Sequence, residues 1–353
     1  MRRRRPGLGA AAAGLSERPL NAGILSAGDI AASVQAGDKR ALARVISWVE
    51  NGDPRARSVL RDLKPQQART RVIGLTGAPG AGKSTVTSAL VRAFRARGSR
   101  VAVLAVDPSS PFTGGALLGD RIRMQEHATD DGVFIRSMGS RGQLGGLAAA
   151  TPQAIRVLSA AGYQVILVET IGVGQAEVEI ASAADSTVVL VVPGMGDSIQ
   201  AAKAGLLEVA DVLVVNKADR PDTQATLRDL RHMVSLATSD WKPPIVPTVG
   251  TTGDGVDELI GRLDQHDAWL ESSGERARRR LARARDELTA LVLGTLARHI
   301  AVSDELAARV AEGRCDPMEA AGELLDSAVI FKELRCLVHP APRRHLAGTS
   351  PGG

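Results

Sequence analysis

The sequence predicts an α/β fold: a mostly parallel central sheet covered by helices on both faces, with helical extensions at the N- and C-terminal ends. Three observations carry that reading. Between residues 70 and 262, short β-branched runs alternate with Ala/Leu-rich helical stretches, the pattern of strands buried on both faces. The first run, "RVIGLTG", empties into "GAPGAGKST", which reads Gly77-x-x-x-x-Gly82-Lys83-Ser84 and opens a helix. That is a phosphate-binding P-loop in its strand–loop–helix setting, so the fold expected is that of a P-loop NTPase. A later run closes on "VVNKAD", which places Asn216-Lys217-x-Asp219 at a strand end.

Five zones follow in chain order. Residues 1–20 are low-complexity and read as a disordered tail. Residues 21–69 read as a small helical extension, with Leu42, Val45, Ile46 and Val49 at helical spacing and breaks at Gly37 and Gly52-Asp53-Pro54. Residues 70–262 form the nucleotide domain; its strands are "RVIGLTG", "RVAVLAVD", "GVFIRS", "QVILVET", "STVVLVVP", "DVLVVNKAD" and "PIVPTVG". Residues 263–338 are helical again, with apolar Leu288, Leu291, Val292 and Leu296; with no core left for them to complete, they are expected to bury that stripe against a second copy in a C2 homodimer. Residues 339–353 are a Pro/Gly-rich flexible tail.

Composition excludes several function classes. The net charge of +5 suggests nucleic acid, but Arg2 to Arg5 supply four of those charges and leave 40 basic against 39 acidic residues. The cluster "RARRRLARAR" at 276–285 sits in a helical pattern beside Asp286 and Glu287, and 2% aromatics leave little with which to stack bases. No nucleic-acid partner is expected. No window approaches the roughly 18 apolar residues of a membrane span, so no membrane partner is expected either. Cys315 and Cys336 lie apart from any His or Cys cluster, which suits a reducing cytoplasm. The opening "MRRRRPGLGAAAAGLSERP" reads as disordered; were it a transit peptide, the location would be the mitochondrial matrix.

The motifs specify the chemistry. Glycines let consecutive backbone N–H groups curl around phosphates, so Gly77, Ala78, Pro79, Gly80, Ala81, Gly82, Lys83, Ser84 and Thr85 form the phosphate cradle. Lys83 reaches the β/γ-phosphates and the Ser84 hydroxyl ligates Mg²⁺. The Asn216-Lys217-x-Asp219 element reads guanine: Asp219 accepts from N1–H and the exocyclic amine, Asn216 touches the base edge and the Lys217 stem covers the ring. Adenine lacks that donor pair, so a buried Asp219 would be left unpaired against ATP. "VETIG" brings Glu169 to a strand end and then Gly172, the slot for a carboxylate near Mg²⁺ and a glycine that senses the γ-phosphate. Two polar, glycine-rich loops complete the set: 106–124 with Asp107 and Asp120, and 193–205 with Asp197, Gln200 and Lys203.

Together "GAPGAGKST", "VDPSS…GGALLGDRIRM", "RSMGSRGQLGGL", "VETIGVGQ", "PGMGDSIQAAKAGLLEVADVLVVNKAD" and "DPMEAAGELL" resemble the MeaB/ArgK family of GTPases, which includes the MMAA-like mitochondrial proteins. The resemblance covers about residues 21–335. It implies a SIMIBI-class P-loop GTPase that works as a homodimer beside an adenosylcobalamin-dependent acyl-CoA mutase, chiefly methylmalonyl-CoA mutase. In that role GTP binding and hydrolysis gate cofactor loading and the exchange of damaged cofactor. It further implies that Asp107, Asp120 and Glu169 surround the metal and the attacking water with Lys83 and Ser84. Gln200 and Lys203 fall in a mobile switch that the mutase rearranges. Where relatives usually read T-S-A after the last strand, this chain has Thr248-Val249-Gly250, whose backbone amides are expected at the guanine.

Rival readings are a nickel-insertion-type accessory GTPase and a kinase acting on periplasmic amino-acid-binding transport proteins. The first needs Cys/His ligands that two isolated cysteines and six scattered histidines do not supply. The second lacks a protein-kinase signature in the chain. The nearest approach to a D-x-H-x-x-G cobalamin signature, Asp264-Gln265-His266-Asp267-Ala268-Trp269, lacks the glycine, so adenosylcobalamin is expected in the partner.

Overall fold

The structure, a computed structural model, describes residues 26–64, 70–108, 126–127, 129–140, 146–170, 182–194, 209–300 and 302–326. The described chain enters through α1 (Ala27–Gln35), α2 (Lys39–Glu50) and α3 (Pro54–Asp62). Each helix starts on a side-chain cap: Ser26 in a capping box with Asp29, Asp38 on the amides of Arg40 and Ala41, and Asp53 on Arg55 ahead of Pro54. The breaks read from the sequence fall where expected, and Leu42, Val45, Ile46 and Val49 form the buried face of α2.

Seven strands follow: β1 (Arg71–Gly77), β2 (Val101–Pro108), β3 (Val133–Ser140), β4 (Val165–Thr170), β5 (Ser186–Val191), β6 (Val212–Asn216) and β7 (Ile245–Thr248). They are the seven runs read from the sequence. Their order is β3-β2-β4-β1-β5-β6-β7, and every described pairing is parallel. The parallel arrangement explains the unbroken apolar runs, because both faces are covered.

On one face, α1 to α3 and α5 (Gly146–Ala160) pack over β1 to β4 around Leu42, Ile46, Leu104, Leu158 and Ile166. On that same face α6 (Thr223–Ser235) covers β5 and β6 with Leu227 and Leu230 against Leu213 and Val215. The opposite face carries α4 (Lys83–Ala96) and α7 (Val256–Ser272), which close over Ile73, Leu75, Leu167, Val188 and Val214. Fully burying each such side chain contributes about 1.5–3 kcal/mol.

A boundary at 262/263 falls inside α7. Leu263 is buried in the same cluster as Leu259 and Ile260, and Leu270 is also fully buried, so the helix belongs with the sheet to its end at Ser272. Only α8 (Glu275–His299) leaves it, followed by α9 (Asp304–Ala311) and α10 (Pro317–Asp326). The first half of α8 docks through charge. Arg279 forks onto Asp211 at 2.9 and 3.0 Å, and Arg283 reaches Asp185 at 2.7 Å. Both aspartates are buried and immediately precede β5 and β6, where each also accepts a strand amide, from Val72 and Thr187. Further along α8, Leu288 and Val292 are 64% and 57% exposed, and Leu291 is half-buried. No described helix is long and apolar enough to cross a membrane.

Candidate functional site

The site is built at the carboxyl ends of the strands, where β1 runs into the loop that starts α4. Gly77 and Gly82 adopt φ of 142° and 89°, in the region that favours glycine. Space adds a second requirement: a Cβ on Gly77 would stand 2.3 Å from the Leu190 carbonyl oxygen, and one on Gly82 2.3 Å from Asn216 Nδ2. Lys83 is only 7% exposed. Its ammonium bends back over the loop and donates to the carbonyls of Gly77 at 2.6 Å and Ala78 at 3.1 Å. Ser84 and Thr85 lie half-buried in the first turn of α4, whose amides and dipole favour an anion.

Glu169 arrives from the neighbouring strand. It is the penultimate residue of β4, in register with Leu75 on one side and Ala105 on the other, and 2% exposed. Thr87, in the second turn of α4, donates to its Oε2 at 2.7 Å. Sequence reasoning missed Thr87; the one available signal was a polar residue on the apolar face of α4, between Val86 and Leu90. Asp107 lies on β2 two residues beyond the partner of Glu169, so the backbone puts it at the same sheet edge. Its side chain, together with Asp120, Gly172, Gln200 and Lys203, lies outside the described residues. A serine hydroxyl and carboxylate oxygens are hard donors of the kind Mg²⁺ accepts. Among the described residues no group of three or more His, Cys, Asp or Glu could hold a metal.

The third component comes from the end of β6. Asn216 is buried and donates through Nδ2 to the Ala81 carbonyl at 2.8 Å, while its Oδ1 accepts from Thr248 Oγ1 at 3.2 Å and the Gly250 amide at 3.1 Å. Lys217 holds a left-handed φ of 59° and donates to the Gly80 carbonyl at 2.9 Å. The P-loop, β6 and the loop after β7 are thereby one unit. Asp219, whose discrimination against ATP was argued for a buried carboxylate, is exposed. The amides of Val249 and Gly250, expected at the base, donate within the protein to Asp254 and Asn216. A base contact through them would have to displace those bonds. Gly250 itself is tightly placed, since a Cβ there would lie 3.1 Å from Val86 Cγ2 and 3.3 Å from Thr85 Cγ2.

The stretch 264–269 is part of α7, and His266 is fully buried there. Its Nδ1 lies 2.8 Å from Ser186 Oγ and its ring packs against Trp241 and Trp269.

Comparison with known proteins gives concordant findings. The family model described as methylmalonyl Co-A mutase-associated GTPase MeaB matches residues 42–305. A Pyrococcus horikoshii protein assigned as a GTPase is 46% identical over 302 residues, covering 83% of this chain and 95% of its own. The mitochondrial methylmalonic aciduria type A homolog of Mus musculus is 34% identical over 264 residues, covering 69% and 64%. A crystal structure of a LAO/AO transport system kinase superposes with a TM-score of 0.65 at 26% identity, covering 85% of this chain and 96% of that one.

Proposed function

This chain belongs to the MeaB family of methylmalonyl-CoA mutase-associated GTPases, and on that premise we propose that it hydrolyses GTP to gate adenosylcobalamin loading and protection of a cobalamin-dependent acyl-CoA mutase, with methylmalonyl-CoA mutase as the client. The observation that supports the guanine-nucleotide reading best is the junction made by Asn216 and Lys217 with the P-loop carbonyls of Ala81 and Gly80. It puts a segment suited to guanine beside a cradle suited to phosphates.

The cradle from Gly77 to Thr85 binds the phosphates through amides and the α4 dipole. Lys83 would exchange its two carbonyl contacts for the β- and γ-phosphate oxygens and neutralise charge that grows during transfer. Mg²⁺, which Ser84, Asp107, Asp120 and Glu169 would hold, supplies charge neutralisation to the phosphates when bound. Glu169 offers acceptor oxygens at the end of β4, and Gly172 is the residue that senses the γ-phosphate. Gln200 and Lys203 belong to the segment that the client positions. Guanine settles on the Asn216, Lys217 and Asp219 face near Thr248, Val249 and Gly250. Adenosylcobalamin stays in the partner mutase, and the part of α8 that bears the exposed Leu288 and Val292 joins two copies. A cytoplasmic location fits the composition; a matrix location would follow from a transit function of the Arg-rich N-terminus.

The test is titration of the full-length protein with GTP, GDP and ATP in Mg²⁺, then gel filtration with light scattering alone and with methylmalonyl-CoA mutase. Guanine nucleotides should bind at least about 100-fold tighter than ATP. The free protein should elute as a dimer and co-elute with the mutase in at least one nucleotide state. Equal affinity for ATP and GTP contradicts the guanine assignment, and no complex in any nucleotide state contradicts the client.

A further inference from the structure

The geometry points to Thr87 as a positioning residue for Glu169, an inference that rests on the role proposed above for that carboxylate. Thr87 lies three residues beyond Ser84 on α4 and is fully buried. A threonine inside a helix ordinarily turns its hydroxyl to a carbonyl one turn back. Thr87 instead gives its single proton to Glu169 Oε2 at 2.7 Å, joining α4 to β4.

Packing alone does not call for threonine here. It is a poorer helix former than alanine by about half a kcal/mol, and a buried hydroxyl must find a partner. Its neighbours Val86, Leu90 and Val91 are apolar and fully buried, so valine would serve a purely structural role as well. Glutamate also has one more side-chain torsion than aspartate. Its oxygens need a fixed donor if they are to stay in one place at the end of β4. Because Thr87 rides on the helix that carries Lys83 and Ser84, its hydrogen bond links the carboxylate to the frame of the phosphate cradle.

Thr87→Val keeps the side-chain shape and removes the donor, whereas Thr87→Ser keeps the donor. Single-turnover GTP hydrolysis by the full-length protein is followed across Mg²⁺ concentrations, with GDP affinity and thermal unfolding measured on the same samples. Thr87→Val should hydrolyse about tenfold more slowly, the size carried by a lost charge-assisted hydrogen bond. It should need more Mg²⁺ for its half-maximal rate and bind GDP as before, and Thr87→Ser should restore both properties. A rate loss seen only near the unfolding temperature marks a packing role and overturns the inference. Glu169→Gln separates the two readings. Full activity of Glu169→Gln removes the proposed role of Glu169 itself. An inactive Glu169→Gln beside a Thr87→Val protein with unaltered rate and Mg²⁺ dependence overturns only the positioning role.

Discussion

Asp219 stands exposed at the end of the segment that follows β6, and that exposure changes how its selectivity has to work. The carboxylate carries no desolvation penalty until a base covers it; discrimination then arises in the complex, when N1–H and the exocyclic amine either do or do not meet it. Asp219→Asn puts a donor opposite a donor. GTP affinity should fall by a factor of about 30 or more while xanthosine triphosphate gains, read by competition titration; unchanged GTP affinity would remove Asp219 from the base site. At this scale the positive φ of Gly77 and Gly82 was legible, because local backbone chemistry fixes the spacing of the cradle glycines. The Thr87 bond to Glu169 was not, since its partners are 82 residues apart and meet only when α4 lies over β4. Nor could spacing reveal that the Val249 and Gly250 amides are engaged within the fold.

At the scale of elements, all seven strands and the breaks of the N-terminal helices were legible from β-branched runs, glycines and caps. The end of the nucleotide domain was not. A helix such as α7 gives no periodic signal for which sheet it covers; in the packed structure Leu263 joins Leu259 and Ile260 in the core and Leu270 is also fully buried, which carries the helix past the expected boundary. The docking of α8 was hidden for another reason: its arginines read as a helical cluster beside Asp286 and Glu287, yet Arg279 and Arg283 close over two buried aspartates. Burial works most strongly against ionised Asp211, but the contacts from His266 and Arg279 outweigh it and hold its carboxyl below the ordinary aspartate value. A depressed folded value means stability that is fully present above the unfolded aspartate value near 4 and lost as pH falls through the lower folded value. Asp211→Asn should therefore lower stability at neutral pH by about 3 kcal/mol, because Arg279 loses its buried counter-charge. Urea denaturation over a pH series checks this; the gap between variant and native protein should narrow below about pH 4. A constant gap would mean that Asp211 contributes through shape rather than charge.

For the whole molecule, the fold puts the phosphate cradle, Glu169 and the guanine segment at the carboxyl ends of the strands. The docked arginines of α8 grip the opposite ends of β5 and β6. Leu288 and Val292 stand four residues apart along α8 and are exposed, the surface proposed above for a second copy. On the reading proposed above, nucleotide hydrolysis and contact with a second copy use separate surfaces, and a mutase stimulates hydrolysis through the segment bearing Gln200 and Lys203. A lysine brought to the γ-phosphate in the complex can be worth about 10³-fold in rate, whereas away from it the side chain contributes little. GTP turnover by the native protein and by Lys203→Ala, each with and without a cobalamin-dependent methylmalonyl-CoA mutase, tests this most directly. The account predicts a slow basal rate in both proteins and stimulation by the mutase in the native protein alone. A native rate that the mutase leaves unchanged, or full stimulation of Lys203→Ala, would contradict it.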